Sequence, residues 1–362
     1  MTLQASQAPR RPTHRDIARL AATSQATVSL VLGNRDTKVG ISAATRQAVL
    51  DAARQVGYVA DLGARRLRDA RAVAAAPELT LAILKPKRSP IGLTARLIEA
   101  VSAGLAEHAP TAQVVVEEFE PGRLAHHPGL AVASRFHGAL LTSPTPEDVA
   151  FLESPDAALP GSAGLSVPIV AFQRRPSHHS WVDVDNVAGA AAATRHLLDR
   201  GRTCIAAVAW ASIRSAAVEA RLDGYRQTLR AAGRDPGPIL WVPDLSEHGG
   251  ARAGTALLAC PAGIDGVVVL SDVLAVGLLH TLWRAGRRVP EDVAVVGYDD
   301  LSFAPYLTPP LTSVRLPYDA MGRAAAAWLV SAARGRAESP LRRVFQPELV
   351  VRESSGPPPA AA

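Results

Sequence analysis

Gln25, Ala26, Thr27 and Ser29 form a short run whose side chains suit contact with duplex DNA. A glutamine amide makes paired hydrogen bonds to adenine, and a small alanine touches the methyl group of thymine. The hydroxyls of Thr27 and Ser29 suit phosphate oxygens, which position a protein without reading sequence. That chemistry needs a rigid element to present it, and the surrounding residues predict one. Thr13, Ser24 and Ser42 stand where a hydroxyl oxygen can accept from the open N–H groups of a first helical turn. Behind them apolar side chains recur at helical spacing: Ile17, Leu20 and Ala21; Val28, Val31 and Leu32; Val49, Ala52, Ala53 and Val56. Only Ala21, Ala22 and Thr23 separate the first two helices, so they must cross sharply, as in a helix-turn-helix whose second helix enters the major groove. A plain three-helix bundle fits the same spacing.

Charge separates the two readings. Residues 10–71 hold twelve Lys or Arg and five acids, a balance of +7, and the whole chain carries +6. The rest of the chain therefore sums to −1. Positive charge confined to the helical headpiece is what a surface that displaces counterions from phosphates requires.

At 362 residues the chain is too long for one ordinary domain. Its 48% hydrophobic content supports a large core, and with only 4% aromatics that core must be built from Ala, Val and Leu. Cys204 and Cys260 are the only cysteines, which argues against a disulfide framework or a cysteine zinc site and fits a reducing compartment. Arg10 and Arg11 lead into no apolar signal region, and no apolar run approaches the roughly 20 residues that span a bilayer. The expectation is a cytoplasmic protein with no membrane partner.

The pattern along the chain predicts a disordered arm over 1–12, the headpiece over 13–59 and a basic linker over 60–77. A large core follows over 78–353, then a disordered tail over 354–362. Within the core, strands such as LTLAILKP, QVVVEEF, HGALLTS, VPIVAF, CIAAVAW, ILWVP, DGVVVLS and VAVVGYDD alternate with helices such as TARLIEAVSAGLAEHA, AGAAAATRHLLDRG, EARLDGYRQTLRAAG and LAVGLLHTLWRAG. Such alternation with unbroken apolar strands predicts parallel sheets covered by helices on both faces. The run is about twice one doubly wound unit. The fold class is therefore an all-α helix-turn-helix headpiece plus hinge, followed by an α/β core of two lobes. Ligands in such lobes bind outside the carboxyl ends of the strands.

At this point the chain resembles the lactose-repressor (LacI/GalR) family of bacterial transcription regulators. The resemblance is carried, in order, by DIARLA and SQATVSLVLG, ISAATRQAVLDAARQVGY, LGARRLR, WVDVDNVAGAAAATRHLLDRG, ARLDGYRQTL, VVLSDVLAVGLL, RVPEDVAVVGYDDLSFAPYLTPPLTSVRLP and ELVVRESS. It covers about residues 13–353. It implies a DNA-binding headpiece, a hinge helix and a core like periplasmic sugar-binding proteins. It also implies a homodimer on a pseudo-palindromic operator, with affinity set by a small effector, a sugar or related polar metabolite.

The resemblance carries DNA contacts onto Thr13, His14, Ser24, Gln25, Ala26, Thr27, Ser29, Leu30, Asn34, Ser42, Thr45 and Tyr58. Leu30 departs from the arginine common in relatives, which removes a polar base contact worth about 1–3 kcal/mol. Ala22 stands where relatives commonly carry glycine, which leaves the turn's geometry open. In the hinge, Leu67 fits the place of a minor-groove wedge, with Ala64 allowing close approach of paired hinges and Arg65 and Arg68 near phosphates. The alternative is a plain basic linker with Leu67 docked on the core.

For the effector, hydroxyl-rich ligands need fixed charged groups and an apolar wall. The resemblance points to Arg221, Ser271, Asp272, Asp299 and Tyr318, and from the first lobe Ser89, Ile91 and Arg174. Ile91 and Leu245 fall where relatives often carry aromatics, and Trp210 either compensates or packs. With the usual aromatic pair missing, a smaller or more polar effector than a hexose stays open. Asp183 and Asp185 are read as orienting backbone at the lobe edge, and Asp300 as capping the LSFAPY turn. His126-His127 and His178-His179 are read as solvated loops.

Two other function classes share parts of this pattern. A transport solute-binding protein shares the two lobes but needs export and has no use for a basic headpiece. A sugar-modifying enzyme needs a base or phosphate loop, and neither GxxxxGK[ST] nor HExxH occurs. GGARAG (249–254) lacks a preceding strand of the dinucleotide type and reads as the start of a helix. No catalytic residue, cofactor or metal is expected.

Overall fold

The computed structural model describes residues 13–32, 41–55, 79–87, 91–127, 130, 136–154, 167–211 and 216–356. The chain divides into two compact units, 1–74 and 75–362.

In the first unit, α1 (His14–Leu20), α2 (Gln25–Leu32) and α3 (Ala43–Gln55) follow the three hydroxyl caps. Ser24 Oγ accepts from Thr27 N at 3.0 Å, and Ser42 Oγ from Thr45 N at 3.1 Å. At Thr13 the bond runs the other way as well: Asp16 Oδ2 accepts from the Thr13 N–H at 2.8 Å and its hydroxyl at 2.7 Å. Ile17, Ala18, Val28, Val31, Val49, Ala52 and Ala53 form the buried cluster that holds the helices together. Leu20 is a correction, because its side chain is 47% exposed rather than part of the inner face. Ala18 takes the inner position instead. The turn between α1 and α2 is made by Ala22 at φ +47°, in the left-handed region.

The second unit contains two six-stranded sheets of the same strand order. The first lobe is built from β1 (Thr80–Pro86), α4 (Ile91–His108), β2 (Gln113–Phe119), β3 (Gly138–Thr142), α5 (Pro146–Glu153), β4 (Ile169–Phe172) and β5 (Ser180–Val184). The second comprises α6 (Asn186–Asp199), β6 (Ile205–Trp210), α7 (Ala216–Ala231), β7 (Ile239–Val242), α8 (Glu247–Ala259), β8 (Gly266–Val269), α9 (Asp272–Arg284), β9 (Ala294–Asp299) and β10 (Thr312–Arg315). The C-terminal stretch adds α10 (Tyr318–Ala333), β11 (Arg342–Phe345) and β12 (Glu348–Val350). The sheets run β2-β1-β3-β4-β5-β11 and β7-β6-β8-β9-β10-β12. All pairings are parallel except β10 with β12, so the second sheet ends on an antiparallel edge.

Apart from Thr80, Lys85, Thr142 and Asp299, near their ends, the central strands are apolar because helices cover both faces; β1, β3, β4, β6, β8 and β9 are buried along their whole length. Helix α10 packs on α4 and the first sheet, and α6 on the second. The chain thus passes between lobes three times, after Val184, Arg315 and Phe345. Strands β5 and β10, helix α5 and the C-terminal α10, β11 and β12 have no counterpart among the elements expected from the sequence. The core also extends beyond residue 353: Ser354 and Ser355 are fully buried, and Ser354 Oγ donates to Val295 O at 2.7 Å.

Candidate functional site

In the headpiece, α2 has two faces. Val28 and Val31 are buried at 0% and 4% exposure, while Gln25, Ala26 and Ser29 are exposed. At 100° per residue, the direction opposite Val28 and Val31 falls on Ala26, flanked by Ser29 and Leu30. Leu30 is half-buried and does not belong to the apolar cluster. Thr27 is half-buried, with its hydroxyl against that of Ser24 at 2.9 Å. Thr13, His14 and Thr45 are half-buried and Ser24 and Ser42 exposed. Asn34, Tyr58, Ala64, Leu67 and Arg68, and with them the hinge wedge, lie outside the described residues.

In the core, Arg221 projects from α7 and is 4% exposed. Its Nε donates to Asn186 Oδ1 at 2.9 Å and its Nη1 to Leu270 O at 2.6 Å, while Nη2 lies 3.4 Å from Asp299 Oδ1. The guanidinium stacks 3.8 Å above the Tyr298 ring. The other oxygen of Asp299 accepts from Ser271 Oγ at 2.8 Å. Ser271 is the N-cap residue of α9, yet its hydroxyl serves the carboxylate instead of the helix. Burial pushes the Asp299 carboxyl up, and Arg221 and Ser271 act against that.

Asp272 is fully buried beside this pair. Its oxygens accept from Ser313 Oγ at 2.7 Å and Leu301 N at 2.8 Å. Burial, with the nearby Asp299 charge, pushes its pKa up to about 8. Asp299 and Asp300 follow one another at φ +104° and +47°, a backbone that side chains rarely adopt and that often marks a ligand clamp. Asp300 does not cap the following turn, which corrects the expectation. Its carboxylate pairs with Arg315 Nε at 2.7 Å and Arg352 Nη2 at 2.8 Å, and the turn's Leu301 N–H is taken by Asp272.

Arg96 of α4, in the first lobe, donates to the main-chain oxygens of Asp299 at 3.2 Å and Asp300 at 2.8 Å in the second. It lies 5.4 Å over the ring of Tyr318, which stacks on Phe172 at 5.6 Å and 11°. Phe172 closes β4, and Gln173 and Arg174 come next. This chain of contacts ties the carboxyl end of β4 to that of β9. Gln173 sits at φ +57°. Among the described residues, Gln173 Nε2 and Arg174 Nη2 are buried with no hydrogen-bond partner. Burial also holds the Arg174 pKa below its usual range.

The structure therefore brings Arg221, Ser271, Asp272 and Asp299 together, with Tyr318 and Arg174 linked through Arg96 and Phe172. Trp210 ends β6 at 9% exposure and packs into the core, as Leu245 partly does. Ile91 opens α4, and Ser89 lies outside the described residues. Sequence reasoning missed Arg96, Asn186 and Gln173. Asn186 stood within the quoted WVDVDN, but no spacing signal marked the other two. Asp185 caps α6 through Ala188 N at 2.9 Å, and Asp183 accepts from Val184 N at 2.8 Å while pairing with Arg175. His127 is a further correction. It is buried, 3.3 Å from Glu117, rather than part of a solvated loop.

A model of the lacI family of bacterial regulatory proteins matches residues 13–61, and one of a periplasmic binding protein-like domain matches residues 194–355. The HTH-type transcriptional regulator CelR of Thermobifida fusca is 35% identical over 95% of this chain and 98% of its own length. The chain belongs to the LacI family. It is a DNA-binding transcriptional regulator with the headpiece and two-lobed core of that family. A LacI-family relative from Pseudomonas aeruginosa, the regulator GntR, is 31% identical over 95% of this chain and 96% of its length. Among solved structures, a CelR–cellobiose complex is 32% identical, covers 95% of this chain and all of that one, and superposes with a TM-score of 0.65. The lac repressor dimer bound to operator and an anti-inducer shares the fold at 22% identity and a TM-score of 0.66, covering 96% of this chain and all of that one. Among the described residues no helix is long and apolar enough to cross a membrane.

Proposed function

We propose that the chain is an operator-binding repressor, working as a homodimer, released or recruited by a sugar held where β4 and β9 end. The dimer reads a pseudo-palindrome, because two headpieces related by a two-fold axis require two matching half-sites. The sugar lies against Gln173 and Arg174 from the first lobe and the Arg221–Asp299 pair from the second. The observation that carries this reading is the pair of buried, unpartnered donors, Gln173 Nε2 and Arg174 Nη2, beside carboxylates and a guanidinium (Asp272, Asp299 and Arg221) that do have partners. Buried donors are costly unless a partner arrives, and a hydroxyl-rich ligand supplies one. The relative solved with cellobiose makes that disaccharide the natural first probe.

The test is a thermal melt with and without cellobiose on the parent, Arg174→Leu and Arg221→Lys. At a hundredfold excess over Kd a ligand stabilises by about 2.7 kcal/mol. The parent gains that shift, and Arg174→Leu, folded by circular dichroism, loses most of it. An Arg174→Leu protein that responds like the parent contradicts the assignment of the pocket. A gel shift on DNA upstream of neighbouring genes tests the operator. Retention falls steeply with salt if phosphates are neutralised, and a shift independent of salt contradicts the headpiece's role.

A further inference from the structure

We infer that Ala26 and Leu30 read thymine methyl groups, so that each operator half-site carries A·T pairs under these two side chains. This rests on the reading of α2 as the helix that enters the groove. Helix α2, QATVSLVL, has no charged residue at all. Its outward direction falls on Ala26, with Leu30 40° to one side, and neither side chain belongs to the buried cluster. An aliphatic residue there has nothing to donate to guanine O6 or N7 and nothing to offer cytosine N4. Laid over those polar edges it strips water from them without replacing the hydrogen bonds. Thymine is the one base whose major-groove edge carries a methyl group. Leu30 is therefore discriminating in both senses, favouring T and penalising G·C. Gln25, also exposed, supplies the polar half of the reading. With no cation on the helix, phosphate neutralisation falls to residues elsewhere, such as the exposed Arg15 and Arg19 of α1.

The experiment uses the full chain. Random duplexes are enriched on the protein, and the affinity of the enriched site is measured by fluorescence anisotropy. Each half-site thymine is then replaced singly by deoxyuridine, which removes the methyl and leaves every hydrogen-bonding edge intact. One buried methyl is worth about a fourfold change in Kd per half-site, and about fifteenfold when both half-sites are changed. The expected result is one thymine whose replacement weakens the parent by that amount and leaves Leu30→Ala unaffected, at an unchanged melting temperature. Leu30→Arg shifts the enriched base at that place to guanine. The inference is overturned if the parent is indifferent to deoxyuridine at every position, or if Leu30→Ala keeps every penalty. Failure to enrich any duplex is a different outcome: it overturns the assignment of α2 as the reading helix, and this inference with it.

Discussion

The most informative single residue in the core is Asp272. It is fully buried, it sits beside a second buried carboxylate, and Arg221, which pairs with that second carboxylate, is committed to Asp299, Asn186 and Leu270. Its pKa near 8 lies above the roughly 3.9 of an unfolded chain, so the folded protein holds a proton that the unfolded one releases. The stability from that proton is fully present below about pH 4 and is lost as the pH rises toward 8, with a slope of at most about 1.4 kcal/mol per pH unit. Asp272→Asn keeps the neutral form: its amide faces Ser313 and its oxygen accepts from Leu301 N. Melting midpoints at pH 6 and pH 9 should differ in the parent, the higher at pH 6, and converge in the variant. Equal pH dependence in the two proteins places the titration elsewhere. Residues of this kind were only half legible. Asp272 and Arg221 could be marked by motif, but their partners Ser313 and Asn186 come from distant elements, so sequence spacing carries no trace of them.

At the scale of elements, helix packing in the second lobe explains a cluster that could pass for a phosphate loop. Gly249, Gly250 and Gly254 lie within α8, and a Cβ on Gly250 would run into the main-chain oxygen of Leu274 on α9. Gly277 answers from α9, where a Cβ would strike the main chain of Glu247 and Ala251. The glycines let two helix backbones touch. Gly277→Ala would gain up to about 1 kcal/mol of helix propensity in isolation. Here the overlap wins, and thermal melting should show a net loss of about 1–3 kcal/mol. An unchanged or raised midpoint contradicts this packing. The headpiece turn offers the opposite substitution. Ala22 is held at φ +47°, and Ala22→Gly relieves about 1 kcal/mol of strain, read as a higher melting midpoint for the headpiece transition. A lower midpoint contradicts the left-handed turn. The three headpiece helices were legible because caps and 3.6-residue periodicity are local signals. The C-terminal α10, β11 and β12 were not, because they complete lobes begun more than a hundred residues earlier. Leu20 misled because an apolar residue at helical spacing can equally face outward when a smaller neighbour, Ala18, fills the core.

At the scale of the molecule, the chain's charge and topology divide the labour. The basic balance sits in residues 10–71, while two sheets of one strand order, joined by three crossings, make the ligand lobe pair. A contact such as Arg96 with the Asp299 and Asp300 carbonyls spans those lobes and depends on their spacing, so a ligand seated beside it biases one arrangement over another. Coupling between two sites is reciprocal and typically amounts to about 5- to 150-fold in affinity. The most direct test is therefore operator affinity of the full chain, measured by fluorescence anisotropy across a cellobiose titration. Linkage between the two sites predicts a saturable change in operator Kd within that range, matched by the same factor in cellobiose affinity when operator is present. An operator Kd that stays constant at every cellobiose concentration would contradict it.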